Sequence, residues 1–118
     1  MKRDTVLVTA GRDPEANHGV VNPPVYHAST ILFPTVAALE AGERARHDTV
    51  FYGRYGTPTT FALEQAVAAV EGGYRTVAVA SGKAAVLCAL IAFLKAGDHV
   101  LVVDSVYAPT RALCARLL

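Results

Sequence analysis

Apolar residues recur at helical spacing through the middle of the chain. The apolar positions of this stretch are Leu63, Ala66, Val67 and Val70. They fall three or four residues apart, which places them on one face of an α-helix. Gly72 and Gly73 follow, and glycine is common just beyond a helix C-terminus. The pattern predicts a helix that begins near Thr59 and ends at the two glycines.

Two short apolar segments and two further helices are predicted after these glycines. Residues 76–80 carry valine at alternate positions, and residues 99–103 are almost continuously apolar, so both resemble buried strands of a parallel sheet. Residues 84–95 are apolar nearly all round and predict a helix closed by Gly97, and Pro109 begins a last helix. The predicted order is β-α-β-α, with a right-handed crossover.

The first part of the chain shows little periodicity and many turn formers. They include Gly11, Pro14, Asn17, Gly19, Asn22, Pro23 and Pro24. Such a segment buries little apolar surface alone, so we expect it to lie extended over another surface. One short helix is predicted with Pro34 in its first turn, followed by apolar Val36, Leu39 and Ala41.

These patterns divide the chain into residues 1–58, an N-terminal arm with one short helix, and residues 59–118, the start of an α/β domain. The last helix reaches Leu118 without a glycine, a proline or a polar cap. Two parallel strands alone also make a poor sheet, because their faces and edges need cover. We therefore expect the 118 residues to be the front of a longer fold.

Composition narrows the function classes. With 53% hydrophobic residues and a formal net charge of +1, disorder and a nucleic-acid or anionic-membrane partner are not expected. The longest apolar stretch, residues 84–94, is shorter than the roughly 20 residues of a membrane span. No secretory signal pattern is found, which favours a cytoplasmic protein. Cys88 and Cys114 are expected as buried, reduced thiols, and the histidines lack metal-ligand spacing, so no metal site is predicted.

The segment Ser81-Gly82-Lys83 lies between a predicted strand and a helix. Free backbone N–H groups and the positive end of the helix dipole converge at such a point, which suits a phosphate. Gly82 would let the backbone approach the anion closely. An ordinary strand-to-helix turn is the alternative.

Three kinds of phosphate-binding site could use this segment. A P-loop is rejected, because Val77 and Ala84 stand where it requires glycine and Ser or Thr. A dinucleotide site gains Asp104 as a ribose-binding acid but lacks two of its three glycines. A single phosphate, as on pyridoxal phosphate, needs only one such helix start.

Two further groups of residues could bind a ligand. Arg54 offers a planar, bidentate grip on phosphate and Tyr52 a hydroxyl donor, although a polar surface loop with aromatic anchors would look the same. Tyr107 follows the C-terminal end of the second predicted strand, where open α/β sheets place ligands. Its ring could lie against a flat heterocycle or pack on the sheet edge.

Taken together, these motifs resemble the Cys/Met-metabolism family of pyridoxal-phosphate (PLP) enzymes along the whole chain. In order they are Asp4-Thr5-x-Leu7-Val8-x-Ala10-Gly11-Arg12, residues 25–30, Tyr52-Gly53-Arg54-x-Gly56-Thr57-x-Thr59, Glu71-Gly72-Gly73, Ser81-Gly82-x-Ala84-Ala85, residues 96–101 and Tyr107-x-Pro109. The resemblance implies an N-terminal arm that wraps a partner subunit. It also implies the first β-α-β-α of a fold-type I PLP-dependent transferase large domain.

The resemblance implies roles for five residues. Tyr52 and Arg54 would reach across a dimer interface to the cofactor phosphate of the neighbouring subunit. Gly82 and Lys83 would donate backbone N–H groups to the phosphate of their own subunit, and Tyr107 would stack on the pyridine ring. Tyr107 and Tyr52 are therefore also the candidate catalytic residues, in a homodimer or homotetramer. Lys83 departs from the apolar residue usual at its position.

The resemblance leans towards the β-lyase branch, because residues 56–60 read Gly-Thr-Pro-Thr-Thr where many sister enzymes have Gly-Asn-Pro-Thr-Arg. That branch implies α,β-elimination of the amino-acid thioether cystathionine to homocysteine, pyruvate and ammonia. Alternatives are a γ-synthase, a γ-lyase or a sulfhydrylase of the same family, a non-catalytic interaction module, and a nucleotide-binding half-domain. The family's Schiff-base lysine, in a Ser-x-Thr-Lys context, is expected beyond Leu118, so the chain alone is expected to be inactive.

Overall fold

The computed structural model describes residues 2–117, which divide after Val77 into two units. The helices of the first unit are α1 (Arg3–Thr9), α2 (Val36–Arg44) and α3 (Pro58–Glu71). Those of the second are α4 (Gly82–Ile91) and α5 (Ala108–Leu117). The domain boundary expected from the sequence, after residue 58, remains a prediction.

Helix α1 is a feature that the sequence pattern did not predict. Its apolar run ends at a glycine, and Gly11 has φ +72°, a conformation that favours glycine. A Cβ at Gly11 would lie 2.4 Å from the carbonyl oxygen of Ala62 in α3. The absence of a side chain therefore lets the end of α1 approach α3, and the two helices pack together.

The two longer helices of the first unit follow the apolar spacing of the sequence, but the predicted place of Pro34 in the first turn of α2 is wrong, because α2 begins at Val36 after its N-cap Thr35. Thr35 begins α2 by accepting the Ala38 N–H on its hydroxyl, at 3.1 Å, as an N-cap residue does. Helix α3 begins with Pro58, one residue before the predicted start, and ends at Gly72 with φ +68°. Its first turn is closed because the Thr57 N–H donates to Thr60 Oγ1 at 2.7 Å.

The second unit is a pair of packed helices, α4 and α5. Leu113 of α5 is 5% exposed and is its buried apolar residue. Helix α4 spans Gly82–Ile91 rather than the predicted residues 84–95. It begins earlier because Ser81 caps it, its hydroxyl accepting the Ala84 N–H at 3.2 Å.

Residues 76–80 and 99–103 form no strand within the part of the chain that the structure describes, so the predicted β-α-β-α order is not confirmed. Neither segment is buried: Val77 is 73% exposed, Val103 70% and Leu101 fully exposed. A parallel strand persists when neighbours satisfy its backbone and both faces are covered. These segments have the apolar pattern of such strands without that cover.

The exposure of the two cysteines and the lengths of the helices also bear on expectations from the sequence. Cys88 is exposed and Cys114 half-buried, and both are free thiols, so the expected burial of Cys88 is wrong. The face of α4 that carries Cys88 has no covering layer among residues 2–117. No helix in this range is long and apolar enough to span a bilayer.

Candidate phosphate-binding site

Tyr52 is held by the arm at a short antiparallel bridge with Thr30. The Gly53 N–H donates to the Ser29 carbonyl at 2.7 Å, and the Ser29 hydroxyl donates to the Tyr52 phenol oxygen at 3.2 Å. Because the phenol oxygen accepts this bond, its own proton remains available to another acceptor. Tyr52 therefore offers an oriented hydroxyl donor.

Gly53 is required for this bridge. A Cβ at its position would lie 1.8 Å from the carbonyl oxygen of Ala28 and 2.6 Å from its carbonyl carbon. Any side chain would force apart the two backbone segments that the bridge joins. The glycine thus fixes where Tyr52, its neighbour in the chain, is placed.

Arg54 is an exposed cation beside an aromatic ring. Its guanidinium carbon lies 5.1 Å from the centroid of the Tyr55 ring, within the range of a cation–π contact. The ion pairs found among residues 2–117 join Arg75 to Asp48 and Arg111 to Asp104, so no carboxylate neutralises Arg54 there. Apart from a 3.5 Å contact from Nη2 to the Tyr55 hydroxyl, the guanidinium N–H groups therefore remain available to an anion.

An aromatic cluster surrounds Tyr55. Its ring meets His47 edge-on, with centroids 5.5 Å apart, and Phe51 at 6.0 Å. Arg46 lies over the same ring at 5.7 Å. The Tyr55 N–H also donates to the Tyr52 carbonyl at 2.8 Å. Tyr52 and Tyr55 are therefore joined by one hydrogen-bonded turn.

Thr59, in the first turn of α3, ties the arm to that helix. Its hydroxyl donates to the Pro24 carbonyl at 2.7 Å and accepts the Tyr26 N–H at 2.8 Å. The segment leading to Ser29 is therefore anchored to the helix that follows Arg54. The sequence motif included Thr59, but nothing in the spacing indicated which backbone groups it would bind.

In the second unit, the start of α4 presents unused backbone donors. The Ser81 hydroxyl takes the Ala84 N–H, and the Ala85 N–H donates to the Ser81 carbonyl. The N–H groups of Gly82 and Lys83 have no partner among the described residues. A Cβ added at Gly82 would meet nothing within 4 Å, so this donor pair is open to an anion. Its use by a phosphate stays a prediction.

Tyr107 immediately precedes α5 and is 71% exposed. Its carbonyl accepts the N–H groups of Thr110 and Arg111, at 2.9 and 3.2 Å, which fixes its backbone at the start of the helix. The ring is thus available to a flat ligand, and no aromatic ring of residues 2–117 is paired with it.

Asp104 is engaged within its own unit. Arg111 donates to the Asp104 carbonyl and, at 3.1 Å, to its carboxylate. The Asp104 side chain remains fully exposed in this contact. In the described range, no group of three His, Cys, Asp or Glu side chains could hold a metal ion.

A separate cavity of about 270 Å³ in the first unit was not indicated by the sequence. Asp48 and Arg75, which form an ion pair, line it together with Glu64 and Tyr74. The hydrogen bond and the charge of Asp48 raise the pKa of Arg75, which therefore stays protonated. This cavity contains none of the five predicted site residues.

The structure thus places the five predicted residues in two groups. Tyr52 and Arg54 share a turn in the first unit, and Gly82, Lys83 and Tyr107 lie at helix starts in the second. The sequence motifs did not indicate the two residues that contact the first group, which are Ser29 at Tyr52 and Tyr55 at Arg54. The first group offers hydroxyl and guanidinium donors and the second free N–H donors, so the donor chemistry of each group, taken by itself, suits a phosphate.

Comparison with known proteins identifies the class. The family model described as Cys/Met metabolism PLP-dependent enzyme matches residues 4–118. The chain therefore belongs to this family, whose members are PLP-dependent and have the fold-type I architecture.

Individual relatives agree with this assignment. A Rhizobium johnstonii protein, named provisionally as a cystathionine beta-lyase, is 50% identical over 98% of this chain and 28% of its own length. Cystathionine beta-lyase MetC of Escherichia coli is 41% identical over 99% of this chain and 30% of its own. L-methionine gamma-lyase of Pseudomonas putida is 43% identical over 92% and 27%. The chain spans less than a third of the length of these relatives.

Proposed function

We propose that this chain contributes the N-terminal arm and the first part of the cofactor domain to a PLP-dependent carbon–sulfur lyase. The substrate of the proposed enzyme is cystathionine, which α,β-elimination converts with water to homocysteine, pyruvate and ammonia. Similarity to proteins named cystathionine beta-lyase over nearly the whole chain supports this choice. A cytoplasmic location belongs to the same proposal.

The observation that carries the proposal is the open donor pair at the start of α4. Gly82 and Lys83 present backbone N–H groups with no partner among residues 2–117, where a Cβ at Gly82 would meet only open space. In the proposed site they bind the phosphate of PLP. The positive end of the α4 dipole adds to this attraction.

The remaining site residues complete the proposed binding site. Arg54 would bind the phosphate through its guanidinium N–H groups, and Tyr52 would donate its phenol proton while the Ser29 hydroxyl donates to the phenol oxygen. Tyr107 would lie against the pyridine ring and restrict its tilt. When bound, PLP supplies the electron sink that stabilises a carbanion at the substrate α-carbon.

The proposal includes a homodimer or homotetramer in which Tyr52 and Arg54 act on the phosphate bound by the neighbouring subunit. It also includes pairing of residues 76–80 and 99–103 as parallel strands in the complete enzyme. Both features would cover groups that lie exposed in this chain, since Arg54 and the side chains of Val77 and Leu101 face solvent.

A first experiment tests the family function. The gene is sequenced past the Leu118 codon, and an open frame that encodes Ser-x-Thr-Lys is the expected result. The three lysines of residues 1–118 are Lys2, Lys83 and Lys95, and none follows Ser-x-Thr. The pure 118-residue chain should therefore form no borohydride-reducible adduct at a unique lysine and no pyruvate. Pyruvate production by that chain would contradict the proposal that the Schiff-base lysine lies beyond Leu118.

A second experiment separates the β-lyase from its γ-cleaving alternative, which the similarity to L-methionine gamma-lyase keeps open. The protein encoded by the complete frame is incubated with cystathionine, and the 2-oxo acid product is identified. Pyruvate supports α,β-elimination, whereas 2-oxobutyrate with cysteine would support γ-elimination. A stop codon after Leu118, with the chain co-purifying with a longer relative, would favour an interaction module.

A further inference from the structure

The sequence motif assigns no role to Tyr55, yet its ring contacts Arg54, which is proposed to bind the cofactor phosphate. It stands between Arg54 and Gly56 and is only partly exposed, whereas Arg54 is exposed. An arginine that samples many rotamers loses this freedom when it grips an anion, which weakens binding. A neighbour that restricts the guanidinium beforehand reduces the loss.

The Tyr55 ring is itself fixed from several directions. His47 meets it edge-on at 5.5 Å and Phe51 packs against it at 6.0 Å. The backbone of Tyr55 is held by its hydrogen bond to the Tyr52 carbonyl, at 2.8 Å. The ring is therefore a fixed support for the side chain of Arg54.

The geometry also leaves Arg54 free to bind. The guanidinium carbon of Arg54 lies over the ring at 5.1 Å. Stacking on a ring uses the face of the guanidinium, while hydrogen bonds to phosphate use the N–H groups along its edge. The bond from Arg54 Nη2 to the Tyr55 hydroxyl is 3.5 Å long, at the limit for such an interaction. The ring, not the hydroxyl, supplies the main contact.

We propose that Tyr55 is a positioning residue. Its ring orients the Arg54 side chain towards the cofactor phosphate. This inference rests on the proposed function, because it assumes that Arg54 binds PLP. It predicts a specific pattern of binding. Loss of the ring should weaken binding of the phosphorylated cofactor, should leave binding of the unphosphorylated aldehyde unchanged, and should matter only while Arg54 is present.

The test uses equilibrium titrations of the purified protein encoded by the complete frame. The ligands are PLP and pyridoxal, which lacks the phosphate. The variants are Tyr55→Leu, Tyr55→Phe, Arg54→Ala and the double variant Arg54→Ala/Tyr55→Leu. Tyr55→Leu should weaken PLP binding about two- to fivefold, the range of an exposed cation–π contact. Tyr55→Phe should restore most of the affinity, and pyridoxal should bind Tyr55→Leu as it binds the unaltered protein.

The double variant separates positioning from a structural role. If Tyr55 acts through Arg54, the double variant binds PLP no more weakly than Arg54→Ala. Equal losses for PLP and pyridoxal, or a further loss in the double variant, would show that Tyr55 only supports the fold and would overturn the inference. Unchanged PLP binding in Arg54→Ala would instead overturn the proposed function itself.

A second measurement needs no substitution that could disturb folding. In the NMR spectrum of the unaltered protein, the Arg54 Nε–H proton should be displaced by the ring current of Tyr55. The exposed Arg12 side chain, which has no aromatic partner in the part of the chain described, provides the reference. An Arg54 signal at the Arg12 position would contradict the contact.

Discussion

At the scale of single residues, the first unit depends on places where a side chain would not fit. Gly53 lies against the backbone of Ala28, and Gly11 lies against the carbonyl of Ala62. Gly82 is the opposite case, because the space beside it is empty. The same residue type thus allows a close backbone contact at one position and leaves room for a ligand at another.

We predict that Gly53→Ala destabilises the first unit by about 1–3 kcal/mol, the cost of forcing atoms into a packed contact. The bridge between Thr30 and Tyr52 should open, because a Cβ cannot lie 1.8 Å from the Ala28 oxygen. Chemical denaturation measures the loss. Gly73→Ala is the control, since its Cβ would approach only the Arg75 oxygen, at 3.9 Å. Equal effects of the two substitutions would refute the steric explanation.

At the scale of elements, local hydrogen bonds decide where helices begin and what they hold. Thr35 caps α2 and Ser81 caps α4 through the same contact with the N–H group three residues ahead. Only the second helix carries predicted phosphate ligands. The two caps therefore form a natural pair for separating helix stability from ligand binding.

Ser81→Ala should cost about 1 kcal/mol of helix stability and should also weaken PLP binding, because the N–H groups of Gly82 and Lys83 lose their fixed orientation. Thr35→Ala should cost a similar amount and leave PLP affinity unchanged. Helix content by NMR and cofactor titration check both statements. A Thr35→Ala variant that loses the cofactor as strongly as Ser81→Ala would argue for general unfolding.

Thr59→Val removes the hydroxyl that joins Pro24 and Tyr26 to α3 while keeping the side-chain shape. Hydrogen bonds of this kind contribute about 0.5–1.5 kcal/mol each. We expect faster hydrogen exchange at the Tyr26 amide, which donates to this hydroxyl. Thr49→Val, whose hydroxyl bonds only to Ala45 one turn earlier, should leave that amide unaffected. An unchanged exchange rate of the Tyr26 amide in Thr59→Val would show that its hydrogen bond to Thr59 does not protect it.

The sequence predicts much at this scale, and its failures have physical causes. Helices α2 and α3 follow from apolar spacing and, for α3, from Gly72 at its end, both of which act locally. The strands at residues 76–80 and 99–103 do not form among residues 2–117, because a strand needs neighbours that its own sequence does not contain. The roles of Ser29 and Tyr55 were missed for a related reason. Their partners are set by folding and by the turn, not by spacing.

At the scale of the whole molecule, large apolar side chains remain in contact with solvent. The most exposed are Leu32, Tyr74, Phe93 and Leu101. Leu32 and Tyr74 belong to the first unit, and Phe93 and Leu101 to the second, so each unit exposes large apolar side chains of its own. The family relationship offers a reason, since the relatives are more than three times as long.

Leu101→Asp should therefore reduce self-association of the isolated 118-residue chain, because Leu101 is fully exposed within an apolar segment. Sedimentation velocity over a concentration series measures the change. Ser105→Asp adds the same charge at a nearby exposed polar residue and should have a smaller effect. If the two variants sediment alike, net charge rather than apolar contact governs association.

The bridge between Thr30 and Tyr52 has a consequence for protein engineering. Residues 31–51, including α2, form a loop that this one β-bridge closes at its base. Doubling the length of a flexible loop costs only about 0.6 kcal/mol of closure entropy. A peptide tag or a fluorophore-bearing insertion at the exposed residues Glu43 and Arg44 would lengthen this loop and leave its base intact. Such an insertion offers a reporter that leaves Tyr52 in place.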